Sequence, residues 1–330
     1  MRHGKPPLLE VRELSLSFHQ KQQVAAERVS FSIATGNTLG LVGASGSGKS
    51  SIARAIMRLL EPDSGEILFK GENICKMDSQ QLMATRQRIQ LVFQEPSASL
   101  SPRRSVEQTL LEPLEHFAIG DTNYRHEKIR QTLQTVGLDQ DALRRYPHQF
   151  SAGQQQRIAI ARALVTDPEL LIADEAVSSL DVSIQAQILQ LIQSLQAEHG
   201  IAFLFISHDL AVIRQIADDI AVMYRGQLLE QSPADIFFNE PAHPYSKALL
   251  SFASAKEPLG TADGTWRLDR GRSSTDNSSV CLFARLCPDK LAVCERLEPA
   301  DHMIQYKNQH ALGPHCVKCH LYDEANTDET

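Results

Sequence analysis

The residues best equipped for chemistry are Gly43-Ala44-Ser45-Gly46-Ser47-Gly48-Lys49-Ser50, which have the spacing G-x-x-x-x-G-K-[ST]. Glycines at these positions let backbone N–H groups turn inward around a phosphate. The lysine brings charge to the outer phosphates, and the final hydroxyl can ligate a divalent cation. A second candidate is the pair Asp174-Glu175, which ends the apolar run Glu169-Leu170-Leu171-Ile172-Ala173. Adjacent carboxylates are costly to keep charged without a cation; the first can hold a metal and the second can position or deprotonate a water. The third is thiol chemistry. Cys75 stands alone, whereas Cys281, Cys287, Cys294, Cys316 and Cys319 crowd the C-terminal region. In a reducing compartment such crowding points to metal or redox chemistry before disulfides.

Each group needs elements to position it. Residues 38–42 read as a short buried strand and 51–60 as a helix, so the glycine-rich stretch becomes the turn between them, with the helix N-terminus adding its partial positive charge. Residues 8–18 and 28–33 alternate as two antiparallel strands ahead of that turn. Phe18 closes the first, where an aromatic either stacks on a nucleotide base or fills a sheet edge. Residues 66–69 and 88–93 read as further strands. Helical spacing then prevails over 106–119, 124–136 and 154–164, as expected for a helical insertion at about 95–165. The uninterrupted apolar character of 169–174 fits a strand buried on both faces of a parallel sheet. Helix 184–199, strand 201–207, helix 210–217 and strand 220–224 follow, and such alternation puts active-site loops at the strand C-terminal ends.

The chain has 330 residues and a net charge of -7, with no basic block, which argues against general nucleic-acid binding. No apolar run approaches the roughly 18–20 residues that span a bilayer; the richest, residues 201–206, has strand length. The first residues are basic but lack an apolar segment behind them, so no secretory signal is expected. Residues 1–254 are expected to form one domain and 255–280, rich in Gly, Ser, Thr and Asp, a linker. A cysteine-bearing extension is expected over 281–323 and a disordered tail over 324–330.

Phe150-Ser151-Ala152-Gly153-Gln154-Gln155-Gln156-Arg157 precedes the helix before the Asp174 strand and resembles the signature of ATP-binding cassette (ABC) proteins. Gln94 after a strand, Ser178-Ser179-Leu180-Asp181 after the carboxylates and His208 after the next strand complete the family's order. The chain resembles an ABC transporter ATPase subunit over roughly residues 8–250. That resemblance implies an α/β P-loop nucleotide-binding domain with an antiparallel β subdomain, a helical insertion and a small cysteine-bearing C-terminal extension. It also implies ATP hydrolysis with Mg2+.

By resemblance, Phe18 stacks on adenine, and Gly43, Ser45, Gly46, Ser47, Gly48, Lys49, Ser50 and Ser51 form the phosphate-binding set. Ser50, Gln94 and Asp174 surround magnesium, Glu175 is the catalytic carboxylate, and His208 contacts the γ-phosphate. Ser151, Gly153 and Gln154 serve the nucleotide bound by the opposite subunit, so hydrolysis needs two cassettes face to face, coupled through Asp181. Two residues depart from the usual pattern: Ala152 replaces a glycine, and Ala176 a proline. Because each signature serves the partner's nucleotide, Ala152 implies either two unequal composite sites or an alanine tolerated at no cost, since a helix N-terminus still offers its N–H groups.

The stretches Phe93-Gln94-Glu95-Pro96-Ser97-Ala98-Ser99-Leu100-Ser101-Pro102-Arg103, Arg145-Tyr146-Pro147-His148-Gln149-Phe150 and His243-Pro244-Tyr245-Ser246-Lys247-Ala248-Leu249-Leu250 resemble the dipeptide and oligopeptide importer branch. So does the tail, where Cys281, Cys287, Cys294 and Cys319 match a four-cysteine pattern that holds a [4Fe-4S] cluster in some members. Zinc is the rival occupant, with His315 or His320 nearby, and unliganded thiols are the third alternative. Cys316 is an extra thiol. The implied partners are a second, related cassette, two transmembrane permease subunits and an external substrate-binding protein, with no nucleic acid. The implied location is the cytoplasmic face of the inner membrane, held peripherally. Substrate choice belongs to the permease and binding protein. The alternative is a soluble ABC ATPase of DNA repair, chromosome organisation or translation.

Overall fold

The computed structural model describes residues 6–18, 23–178, 180–254, 280–304 and 314–323. All but the last residue of the expected linker, the tail 324–330 and Ser179 lie outside the described residues.

Two sheets organise the chain. The smaller is antiparallel, in the order β2-β1-β4-β5, built from β1 (Leu9–Phe18), β2 (Gln23–Ile33), β4 (Ser64–Phe69) and β5 (Glu72–Asn73). The larger has eight strands. Its parallel part runs β9-β3-β8-β7-β6, with β3 (Thr38–Gly43), β6 (Ile89–Val92), β7 (Leu170–Asp174), β8 (Ala202–Ser207) and β9 (Asp219–Tyr224). Antiparallel strands β10 (Gln227–Pro233), β12 (His315–Lys318) and β11 (Asp301–Ile304) extend its β9 edge.

The parallel strands are apolar throughout because both faces are covered, and their period of two divides the core. On β3 and β8, Leu39, Leu41, Leu204 and Ile206 face the core shared with the antiparallel sheet and α1 (Lys49–Ile56). Val42, Phe203 and Phe205 face the opposite core. Among the helices that pack into the second core are α4 (Val106–His116), α5 (Thr122–Thr135), α6 (Ala152–Leu164), α7 (Val182–His199) and α8 (Leu210–Ile216). Short helices α2 (Ser79–Arg88) and α3 (Pro96–Ser99) flank β6, and α9 (Ala234–Asn239) and α10 (Pro244–Ser254) follow β10.

Local sequence sets most helix starts. Asp78 with Gln81, Ser105 with Gln108, and Ser151 with Gln154 form capping boxes at α2, α4 and α6, so each pair satisfies two otherwise orphaned amides. Gly200, at φ 64°, ends α7 in the left-handed conformation that glycine adopts without steric cost.

Two features differ from the reading of the sequence. The loop helix, expected over 51–60, spans Lys49–Ile56, because the left-handed Gly48 lets it begin on the lysine. The cysteine-bearing extension, for which no strands were expected, contributes two to the main sheet. β12 pairs Cys316 with Gln231 and Val317 with Glu230. It is pinned by the fully buried pair His315 Nε2 and Glu230 Oε1, 2.9 Å apart.

Candidate functional site

The glycine-rich turn lies between β3 and α1, and close packing fixes its glycines. A Cβ on Gly43 would stand 2.1 Å from the Met223 carbonyl oxygen, and one on Gly48 would stand 1.9 Å from that of Ala25. Gly46 has open space around it but holds φ 78°. Lys49 Nζ, buried within the loop, donates to the carbonyls of Gly43 and Ala44, both at 2.9 Å, and to Ser47 Oγ at 3.3 Å. Burial lowers the Lys49 pKa, against the raising pull of Glu175 and Asp174. A buried ammonium held only by neutral oxygens gains most from a charged acceptor, which a phosphate provides. Ser51 donates its amide to the Gly48 carbonyl, and Ser45 is exposed at the rim.

The carboxylates come to the same place. Ser50 Oγ donates to Asp174 Oδ1 at 2.9 Å, joining the first turn of α1 to the end of β7. Burial raises the Asp174 pKa; the Ser50 bond opposes this and neighbouring Glu175 adds to it. A half-buried carboxylate beside a second one, with a hydroxyl already on it, is a donor set suited to a divalent cation. Glu175 has φ 50°, a left-handed conformation that costs a non-glycine residue about 1–3 kcal/mol. Its amide donates to the Ile206 carbonyl at 3.0 Å, which fixes the turn after β7 against the end of β8.

From that turn, Glu175 Oε1 lies 3.4 Å from His208 Nδ1. The Glu175 carbonyl accepts from Ser178 Oγ at 3.0 Å, and Ser178 Oγ accepts a longer bond, 3.4 Å, from Gln94 Nε2. Lys49, Ser50, Gln94, Asp174, Glu175 and His208, drawn from four separate stretches, therefore lie together. Ser178 links two of them, a contact that its serine-rich surroundings in the sequence do not signal.

The remaining expected residues stand elsewhere. Ser151 and Gln154 hydrogen-bond each other at the start of α6. Gly153 is buried, because a Cβ there would fall 2.3 Å from Ile184 Cγ2. Ala152 is exposed beside it, and Asp181 is exposed at the start of α7. Phe18 ends β1 opposite Gln23, half-buried against the core below the loop.

Four thiols converge in the extension. Cys281, Cys294 and Cys287 lie within electrostatic reach of Cys319, and the Cys281 amide donates to the Cys294 carbonyl at 3.1 Å. Burial pushes the thiols of Cys287 and Cys319 up to about 11. Cys316 is also pushed up to about 11, by burial and by Asp301. Among the described residues, no group of three or more His, Cys, Asp or Glu side chains is drawn together tightly enough to hold a metal ion.

Residues 26–178 match the family model described as ABC transporter, and residues 229–294 match that of the oligopeptide/dipeptide transporter C-terminal region. The putative oligopeptide transport ATP-binding protein YkfD of Bacillus subtilis (strain 168) is 40% identical over 329 residues, 98% of each chain. The oligopeptide transport ATP-binding protein AppF of the same organism is 42% identical over 301 residues, 90% of this chain and 89% of that protein. Among solved structures, cbiO1 from Clostridium perfringens, part of the ABC transporter complex cbiONQ, aligns with a TM-score of 0.65 at 26% identity. That alignment covers 72% of this chain and 93% of that one. The dimeric cassette MJ0796 in a post-hydrolysis state, bound to ADP and Pi, gives a TM-score of 0.62 at 27% identity over 68% of this chain and 98% of that one.

Proposed function

The chain belongs to the ATP-binding subunits of ABC transporters, and from that premise we propose that it hydrolyses ATP to energise peptide import through a membrane permease. The observation that carries this reading is the Ser50–Asp174 hydrogen bond, which joins the phosphate loop to the strand-end carboxylates. The peptide assignment is supported by the oligopeptide/dipeptide C-terminal match and by relatives named as oligopeptide transport ATP-binding proteins.

In this reading the loop amides and Lys49 hold the β- and γ-phosphates, and Phe18 stacks on the adenine. Magnesium, when bound, would be held by Ser50, Gln94 and Asp174 and would neutralise charge on the phosphate oxygens. Glu175 orients the attacking water and accepts its proton, and His208, beside it, contacts the γ-phosphate.

Ser151 and Gln154 spend their hydrogen bonds on the start of α6, and Gly153 packs against Ile184 of α7, rather than on this chain's own loop. That arrangement fits a signature which serves the nucleotide of a second cassette, with Asp181 coupling the two sites. We take that second cassette to be a related subunit. No helix among the described residues is long and apolar enough to cross a membrane, so attachment in this reading runs peripherally, through two permease subunits supplied by a binding protein.

The extension would hold a [4Fe-4S] cluster through Cys281, Cys287, Cys294 and Cys319, whose role would be to crosslink the extension. A single zinc ion needs every sulfur about 2.3 Å from one point, whereas a four-iron cluster takes each thiolate on a different iron. Among the described residues these thiols close on no common centre, so the four-cysteine pattern of the sequence is what supports this reading.

Affinity purification of the chain from its native membranes tests the transport reading. Co-purification with permease subunits, and peptide-stimulated ATPase in that complex, are expected. Recovery of the chain free of permeases and bound to DNA-repair, chromosome or ribosomal proteins would contradict it.

A further inference from the structure

The phosphate loop is braced from outside by residues that no nucleotide motif contains. The Ala44 amide donates to the Tyr245 hydroxyl at 3.1 Å, across 201 residues of sequence. On the far side of the loop, the Gly226 amide donates to the Ser47 carbonyl at 3.0 Å. Both braces come from the unit formed by β9, β10 and α10, on which the cysteine-bearing extension sits.

The extension holds each brace in turn. Phe283, two residues from Cys281 and 1% exposed, meets the Tyr245 ring edge-on at 5.4 Å and the Tyr224 ring edge-on at 5.6 Å. The backbone leading into α10 is clamped as well. The Tyr245 amide donates to His243 Nδ1 at 2.9 Å, and the Ala242 and His243 amides donate to the Glu230 carboxylate, which the extension's His315 also bonds. Beside the second brace, Gln227 Nε2 donates to Glu298 of the extension at 3.3 Å, and Glu298 is also paired with Arg28 and Lys318.

We propose that Tyr245 is a positioning residue for the phosphate loop, and that the cysteine-bearing extension sets nucleotide affinity by holding Tyr245 in place through Phe283. The inference deepens the reading of the loop as an ATP site and rests on it. Tyr245 is buried, so its route to the nucleotide runs through the loop. It fixes the direction of the Ala44 peptide at the point where the chain leaves β3 and turns into the cradle. A loop fixed before binding loses less conformational freedom when the phosphates arrive, so the brace acts on affinity more than on turnover. Burial pushes the Tyr245 hydroxyl up to about 12, so the phenol stays neutral and serves as an acceptor throughout the working pH range. A tyrosine that merely filled the core would give up packing and stability on substitution but would leave the loop unmoved.

The test uses the full chain, with binding of a fluorescent ATP analogue and hydrogen exchange over residues 43–47. Tyr245→Phe keeps the ring and removes only the acceptor. It should weaken nucleotide binding about three- to tenfold, the scale of one neutral hydrogen bond, and speed exchange at the loop. In the assembled transporter it should raise the KM for ATP more than it lowers kcat. Phe283→Leu should weaken binding in the same direction, and its effect should vanish when Tyr245 is already Phe, since both act through one contact. Unchanged affinity in folded Tyr245→Phe would overturn the proposal, and so would a Phe283→Leu effect of equal size in both backgrounds. If Tyr245→Phe does not fold, Phe283→Leu carries the test: unchanged affinity and unchanged loop exchange refute it. Lys49→Ala separates the two readings. If that variant abolishes binding while Tyr245→Phe leaves it intact, the ATP site stands and only the brace fails.

Discussion

Ser50 and Asp174 are hydrogen-bonded at 2.9 Å although 124 residues separate them, and that contact makes one site of two motifs. The residue after Asp174 is Glu175, whose carboxylate sits near His208 and whose backbone is held left-handed by the turn. Glu175→Gln keeps the shape and removes the base. Hydrolysis by the assembled transporter should fall by about 100-fold or more, the scale of a lost general base, while ATP binding stays within about threefold. Single-turnover hydrolysis and equilibrium binding separate these effects.

Gly153 and Ala152 predict opposite outcomes in the signature. Gly153→Ala drives a Cβ to 2.3 Å from Ile184 Cγ2, so either the Ile184 side chain turns or α6 and α7 part, at a cost of about 1–3 kcal/mol. Thermal unfolding and ATPase should both decline. Ala152 is exposed, and Ala152→Gly should leave folding nearly unchanged while raising ATPase of the assembled complex by about twofold or more. An unchanged rate would count against unequal composite sites.

Acid should loosen the junction between core and extension. His243 is buried with its pKa driven down to about 4 by desolvation, against the raising pull of Glu230. Between the ordinary histidine pKa and that value, the unfolded chain takes up a proton that the folded one refuses. Stability therefore falls as pH drops from about 6.5 to about 4, by up to about 3 kcal/mol. Burial works to raise the Glu230 pKa, but bonds from His315 and from the Ala242 and His243 amides outweigh it and lower it overall. Its contribution is present above the usual carboxylate range and is lost as pH falls through the folded value. Denaturant midpoints against pH should show this decline, and His243→Asn should flatten its upper part.

The thiols give an analytical prediction. Anaerobically purified protein should contain iron and absorb in the visible, and Cys281→Ser, Cys287→Ser, Cys294→Ser or Cys319→Ser should each lower the iron content. Cys316→Ser should not, since Asp301, rather than the four other thiols, is the charged group that shifts Cys316. A colourless protein containing only zinc would remove the cluster.

The sequence exposes parts of this molecule that are written in contiguous motifs. The turn from Gly43 to Ser50 and the buried strand ending at Asp174 are legible because a phosphate and a cation each demand particular residue types at fixed spacing. The parallel strands are legible because burial on both faces leaves them apolar. What stayed hidden depends on contacts distant in sequence. β12 is only His315–Lys318, and its cysteine and basic residues mask a strand whose partner, β10, lies more than eighty residues upstream. The Tyr245–Ala44 bond leaves no trace in composition or spacing. The left-handed Glu175 is invisible as well, because the turn that imposes it is set by the Ile206 carbonyl of a neighbouring strand.

Peptide uptake into sealed proteoliposomes containing the permease, the binding protein and both cassettes addresses the central claim most directly. Uptake that requires ATP on this chain's side of the membrane, and that Glu175→Gln in this chain cuts to a few per cent or less, is the predicted result. Peptide accumulation that proceeds at full rate with Glu175→Gln, or an assembly that forms and transports without this chain, would contradict it.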